Sequence, residues 1–290
     1  MKRIALKIDV DTYQGTRSGV PALIEQLQRH QAQATFFFSL GPDSNGKESR
    51  VASLTRYYSV GARLYGRFLP SPNIGSRCKE IMRRVRDAGF ETGIHAWDRV
   101  AWEKEMPEAG NAVAECAMDK ARQCFTEIFA TEAKAHAAAG WKMSRHALRL
   151  TQRHHFAYAS DCRGSHPFLP VIDGELIGCV QIPTTLPTLD EILSLEPGYS
   201  PDQAIERIHQ LSCAIPGDHV FTLRAELEGM KFASAFARLL DRWNENGIRL
   251  IALRDVRSTL IPEALPRHAL TCAEIPGRQG IRLAQGDVFP

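Results

Sequence analysis

No stretch of the 290 residues approaches the roughly 20 consecutive apolar side chains that a membrane-spanning helix needs. The chain is therefore expected to be soluble, or attached to a membrane only at its surface. Charge of one sign is scarce too. The 36 basic and 33 acidic residues leave a formal charge of +3, too mild to argue for a nucleic-acid partner. The seven cysteines are odd in number and scattered, without a CxxC pair. They read as free thiols of a reducing compartment, so the cytoplasm is the expected location. Met1-Lys2-Arg3 resembles the charged start of a signal peptide, but Lys7, Asp9 and Asp11 interrupt the apolar run behind it. Linker-like composition shifts, internal repeats and low-complexity tracts are missing as well.

What is present begins with Ile4-Ala5-Leu6-Lys7-Ile8-Asp9-Val10-Asp11-Thr12, a short β-branched and apolar run closed by the turn-like Tyr13-Gln14-Gly15-Thr16. In a strand, residues i and i+2 share a face, so Asp9 and Asp11 are expected to project together. Two carboxylates held that close are costly unless a cation or a proton separates them. A bland reading makes one of them a helix cap and the other a solvated loop residue.

The spacing of Val20, Leu23, Ile24 and Leu27 predicts a helix with Pro21 in its first turn, and Ala34 to Leu40 an aromatic strand. Further strands are expected at Gly89–His95, Phe156–Ser160, Val180–Pro183, His219–Leu223 and Ile248–Ile251, with helices between them. This alternation fits an α/β chain, a single (β/α) barrel over residues 1–260 with its active site at the C-terminal rim of the strands. Residues 261–290, rich in Pro, Gly and Arg without a clear period, are expected to be a loose tail.

Residues 50–79 differ in kind. Arg50, Arg56, Arg63, Arg67, Arg77 and Lys79 occur there with no acidic residue, among Tyr57, Tyr58, Tyr65 and Phe68. Basic side chains with interfacial aromatics suit an anionic bilayer surface, so Arg56, Tyr57, Tyr58, Arg63 and Arg67 are candidates to meet a membrane or substrate. The plain alternative is a solvated insertion that packs its aromatics onto the barrel.

The expected strand ends gather Asp9 and Asp11, His95 with Asp98, Lys142, Asp161 with Arg163, and Arg224 with Glu226. Carboxylates with a histidine are the ingredients of a metal-dependent hydrolase. A lone histidine such as His95 is more often structural.

Taken in order, several motifs resemble the polysaccharide deacetylase (NodB-homology) superfamily. They are Ile8-Asp9-Val10-Asp11-Thr12 followed by Gly15–Pro21, Phe37–Asp43, Gly93-Ile94-His95-Ala96-Trp97-Asp98, Ala137–Lys142, Ser160-Asp161-Cys162-Arg163-Gly164, Gln181–Thr188 and Ala225-Glu226-Leu227-Glu228-Gly229. More narrowly they are similar to the branch that deformylates a 4-deoxy-4-formamido-L-arabinose carried on undecaprenyl phosphate. The resemblance runs from about residue 4 to about residue 256. It implies a distorted barrel and a divalent metal, usually zinc, held by one Asp and two His. It also implies a hydrolase bound peripherally to the cytoplasmic face of the inner membrane, whose product goes to lipid A and confers polymyxin resistance. Carried over by position, Asp9 is the catalytic base, Asp11 the metal carboxylate and His95 the first metal histidine. Lys142 stands where the motif usually has Arg, and Asp161 belongs with the catalytic groups.

Two positions depart from the pattern. The second metal histidine is Arg99 here, and the histidine that serves as general acid is Arg224. An arginine can neither ligate a cation nor release a proton near neutral pH. The expectation is then either a working deformylase or a metal-free, catalytically impaired homologue that binds the lipid-linked sugar or deacylates another amide. In the second case Arg99 is expected to reach Asp11 or Asp9 and replace the metal's charge.

Overall fold

A computed structural model describes residues 2–47 and 63–290. Its centre is β1 (Arg3–Val10), in which Ile4, Ala5, Leu6, Ile8 and Val10 are all fully buried. A strand paired on both edges and covered on both faces has no solvent side, which is why its sequence lacks a clean alternation.

The other strands of this sheet are β2 (Thr35–Ser39), β3 (Glu91–Ala96), β4 (Ala135–His136), β5 (Tyr158–Ala159), β8 (His219–Arg224) and β9 (Arg249–Ile251). Their order is β5-β4-β3-β2-β1-β8 with β9 joined to β1, and every pairing is parallel. Among the described residues β5 and β8 do not pair with each other, so the curl is a half-barrel. The expected (β/α) barrel is thus present in distorted form.

The helices are α1 (Val20–Arg29), α2 (Ile74–Asp87), α3 (Arg99–Glu105), α4 (Asn111–Phe129), α5 (Arg145–Arg153), α6 (Leu189–Leu195), α7 (Pro201–Ala214), α8 (Ala233–Glu245) and α9 (Leu253–Arg257). α1 buries the Val20, Leu23, Ile24 and Leu27 face that its spacing specifies. Caps set the entries: Asn73 accepts from Ser76 N before α2, and Asp98 accepts from Val100 N and Ala101 N before α3. Capping α3 is thus one structural task of Asp98, which also accepts from Ser44 Oγ at 2.8 Å.

A second sheet corrects the expectation for the tail. β10 (Arg267–Glu274) and β11 (Ile281–Val288) form an antiparallel hairpin, and β10 runs parallel to β6 (Leu169–Ile172), which pairs with β7 (Glu175–Leu176). The segment is therefore docked, with His268, Leu283 and Ala284 buried. Its partner strand lies about a hundred residues earlier, so no local periodicity announces it. The strand expected at Val180–Pro183 is reduced to single bridges from Gln181 to Ala159 and to Phe168.

Candidate active site

Alternation along β1 puts Lys7, Asp9 and Asp11 on one face. All three are buried, as are His95 at the end of β3 and Arg224 at the end of β8. The register pairs Asp9 with Phe37 of β2 and with Arg224 of β8, so neighbouring strands deliver these groups to one rim. His95 Nε2 stands 3.1 Å from Asp11 Oδ1, and His95 Nδ1 stands 3.8 Å from Asp9 Oδ1. Arg224 Nη1 donates to Asp11 Oδ2 at 2.5 Å, and Lys7 Nζ lies 3.7 Å from Asp9 Oδ1.

Apart from the Arg224 donation, these are ion contacts more than aligned hydrogen bonds. Asp9 Oδ1, Asp11 Oδ1 and both His95 nitrogens have no hydrogen-bond partner despite complete burial. The bend after β1 is held from β8's side: Glu226 Oε1 accepts from Asp11 N at 2.9 Å, Thr12 N at 2.7 Å and Thr12 Oγ1 at 3.0 Å. Gly15 makes this possible, because a Cβ there would lie 2.0 Å from Glu226 Oε1.

Burial works against ionising Asp11, but the charges of His95 and Arg224 outweigh it and hold its carboxyl far below the usual range. Burial likewise opposes the His95 imidazolium, and Asp9 and Asp11 overcome it, raising its pKa. Lys7 goes the other way: burial lowers its ammonium, although Asp9 and Asp161 oppose the shift. Burial together with the Asp11 charge pushes Glu226 up to about 7. The two aspartates thus face two basic groups of the protein itself, the Arg224 guanidinium and the His95 ring, whose protonated form they favour.

The remaining candidates take supporting places. Asp161 Oδ1 accepts from His136 Nδ1 at 2.7 Å and from Ala138 N at 2.8 Å, while Gln181 Nε2 donates to its Oδ2. It therefore orients the Ala137–Lys142 turn. Lys142 Nζ donates to the Glu103 carbonyl at 2.8 Å. Arg99 donates to Glu103 Oε1 at 2.7 Å and to Asn45 Oδ1. The guanidinium expected on Asp11 was that of Arg99; the one found there is Arg224, which lies on the strand next to β1. Arg63 and Arg67 are exposed, and Arg56, Tyr57 and Tyr58 fall outside the described residues.

Sequence reasoning missed Lys7 and the hairpin arginines Arg278 and Arg282. Lys7 had a signal, since it continues the Asp9, Asp11 alternation by one step. Two guanidinium groups lie over the Trp141 ring, Arg163 at 5.1 Å and Arg278 at 4.7 Å from its centre.

The polysaccharide deacetylase family profile matches residues 1–159. A Shewanella sediminis protein named "Probable 4-deoxy-4-formamido-L-arabinose-phosphoundecaprenol deformylase ArnD" is 34% identical over 96% of this chain and 93% of its own. The chain belongs to the polysaccharide deacetylase family. A polysaccharide deacetylase structure from Mycobacterium smegmatis matches with a TM-score of 0.66 at 15% identity, covering 94% of this chain and 96% of that one. A CE4 family pseudoenzyme from Bacillus anthracis matches at 0.55 and 12% identity, covering 88% of this chain and 65% of that one. At such identities these structures show a shared fold alone.

In this deacetylase the metal centre implied by the motifs would need Asp11, His95 and a third ligand at position 99. Arg99 cannot supply it. Among the described residues no group of three or more His, Cys, Asp or Glu side chains is placed to hold a metal ion. Arg224 also already puts a positive charge on Asp11. The residues present do not fit a three-ligand metal centre.

Proposed function

We propose that the chain is an amide hydrolase of the deformylase kind, releasing formate from a 4-deoxy-4-formamido-L-arabinose carried on undecaprenyl phosphate. The observation that carries this reading is Asp9: its Oδ1 is buried at the C-terminal rim of β1 and accepts no hydrogen bond. Lys7 Nζ at 3.7 Å and His95 Nδ1 at 3.8 Å meet that oxygen only as longer ion contacts, so a carboxylate oxygen free of hydrogen bonds is placed there to act as a general base. Support comes also from the Shewanella relative, named for this activity and similar over nearly its whole length.

Asp9 accepts a proton from water as the water oxygen adds to the formyl carbon. Negative charge builds on the carbonyl oxygen, where Arg224 and His95 are the cations at hand. Asp9 then returns that proton to the leaving nitrogen as the C–N bond breaks, which yields formate and the free amine, the aminoarabinose that would lower the negative charge of lipid A and confer polymyxin resistance. None of these steps runs through a metal.

A lipid-linked substrate calls for a surface that meets the inner membrane from the cytoplasmic side. Phe68 and Leu69, 67% and 43% exposed, sit among the exposed Arg63 and Arg67 and support that placement. Among the described residues no helix is long and apolar enough to cross a membrane.

One observation favours a second reading, a protein that binds the lipid-linked sugar without turnover: Arg224 neutralises Asp11 where the family's chemistry calls for a metal. Formate release from the lipid-linked sugar, assayed with and without added zinc, decides between them. Release lost in Asp9→Asn supports the hydrolase, and tight binding of the sugar without formate from the wild-type chain supports the second reading.

A further inference from the structure

Arginines crowd the rim of this site, and most of them hold a carboxylate. Arg224 pairs with Asp11 at 2.5 Å and Arg99 with Glu103 at 2.7 Å. Arg163 pairs with Glu191 at 3.1 Å, and Arg278 pairs with both Glu191 and Asp190 at 2.9 Å. Arg282 is different. It is only 8% exposed, yet no carboxylate among the described residues lies within ion-pairing distance of it. Its Nη1 donates to the Ile281 carbonyl at 2.9 Å, while Nε has no hydrogen-bond partner. What remains is the Nε–Nη2 edge, the planar fork that grips two oxygens of a carboxylate or phosphate. A buried guanidinium without a counter-ion is costly, so this one needs an explanation.

The hairpin is built to place it. β11 docks on the turn after β5, with Arg163 N donating to Leu283 O at 2.9 Å and Gln285 N to Arg163 O at 2.7 Å. The turn between β10 and β11 presses onto α6 so closely that a Cβ at Gly277 would lie 2.3 Å from the Glu191 carbonyl oxygen. Burial lowers the Arg282 pKa, Glu103 opposes that shift, and Arg278 and Arg224 add to it. Arg282 is thus within electrostatic reach of Glu103, Arg278 and Arg224, on a hairpin docked against the turn after β5. The surplus of positive charge there is a demand for an anion.

We propose that Arg282 is a phosphate-binding residue, taking two oxygens of the phosphoryl group that links the sugar to its lipid. The inference rests on the lipid-phosphate reading of the substrate given above. The phosphodiester brings the single negative charge that the rim lacks, and gripping it fixes the sugar's distance from Asp9. The linkage also distinguishes the carried sugar from a free one.

The test is isothermal titration of the full chain with a short, soluble isoprenyl phosphate, the same isoprenyl alcohol and inorganic phosphate. The ester should bind and the alcohol should not. Arg282→Gln should weaken ester binding by about 10–100-fold, the usual range for losing hydrogen bonds to a charged group. Arg282→Lys, which keeps the charge but loses the fork, should fall between. Unchanged ester binding by a folded Arg282→Gln, or alcohol binding as tight as the ester, overturns the proposal. Inorganic phosphate matching the ester would make the ligand a free ion and overturn the assignment to the lipid link.

If Arg282→Gln does not fold, the wild-type chain carries the test. Its 15N-labelled Arg282 Nε resonance, assigned by its absence from Arg282→Lys, should shift with the ester; a resonance that stays in place refutes the contact. Formate assays keep the two readings apart. Arg282-dependent ester binding without formate release defeats the deformylase and leaves this site standing. Formate released equally fast from a phosphate-free formamido sugar does the reverse.

Discussion

Arg224 Nη1 donates to Asp11 Oδ2 at 2.5 Å, and His95 Nε2 approaches Asp11 Oδ1 at 3.1 Å, so each oxygen of this buried carboxylate faces a basic group of the protein. Both contacts follow from strand order, since β8 lies beside β1 and His95 is the penultimate residue of β3, two strands away on the other side. A dication entering here would meet a carboxylate already neutralised.

Protein purified without chelators should therefore hold well below one equivalent of zinc by plasma mass spectrometry. The double variant Arg99→His with Arg224→His should hold more, because it adds imidazole ligands and removes the guanidinium from Asp11. Near-stoichiometric zinc in the wild-type chain would contradict this account of the site.

Removing the guanidinium alone should be destabilising. Arg224→Ala leaves Asp11 buried with half its compensation, and breaking a buried pair in this way costs about 3–5 kcal/mol. Urea unfolding measures it. A loss below 1 kcal/mol, about the value of an exposed ion pair, would mean that water reaches Asp11.

Asp9→Asn preserves shape and removes the base. Formate release should drop by about 10²–10⁴-fold, the usual contribution of a positioned general base. Circular dichroism should show an unchanged fold, which separates loss of chemistry from loss of structure.

Glu228 gives a prediction in pH. Burial pushes its carboxyl up to about 8, with the hydrogen bond from Arg224 N opposing the shift and the Asp190 charge adding to it. The folded state thus favours the protonated form, and the folded chain binds more protons than the unfolded one. Stability from this group is fully present below the ordinary carboxylate pKa and is lost as pH rises through about 8. Glu228→Gln should flatten that decline in urea midpoints measured from acidic to alkaline pH. A slope identical to wild type would show that Glu228 does not cause it.

Flotation with liposomes addresses the basic segment. Wild-type chain should float with anionic vesicles and not with neutral ones, and changing Arg56, Arg63 and Arg67 to Glu should abolish it. Binding that survives those changes would point to another surface.

The parts of this molecule written in nearest-neighbour patterns were legible in its sequence. Asp9 and Asp11 share a face because β1 is a strand, and α1 buries the residues that its spacing marks. The ion pairs were harder to foresee, because which arginine reaches Asp11 depends on strand order. Arg99 lies four residues beyond His95 but on α3, where Glu103, one turn on, takes its charge. Arg278 and Arg282 were invisible for the same reason: their segment has no period of its own, and its place comes from pairing with β6.

The pairing of β1 with β8 also sets a timetable. On its β8 edge Ile4 finds its partner only at His219, and Asp9 only at Arg224, so β1 waits for much of the chain that follows it before that edge is closed. Contacts that distant in sequence make folding slow and leave an apolar edge exposed meanwhile. Chaperones that shield nascent strands should therefore matter more to the yield of this protein than to its final stability.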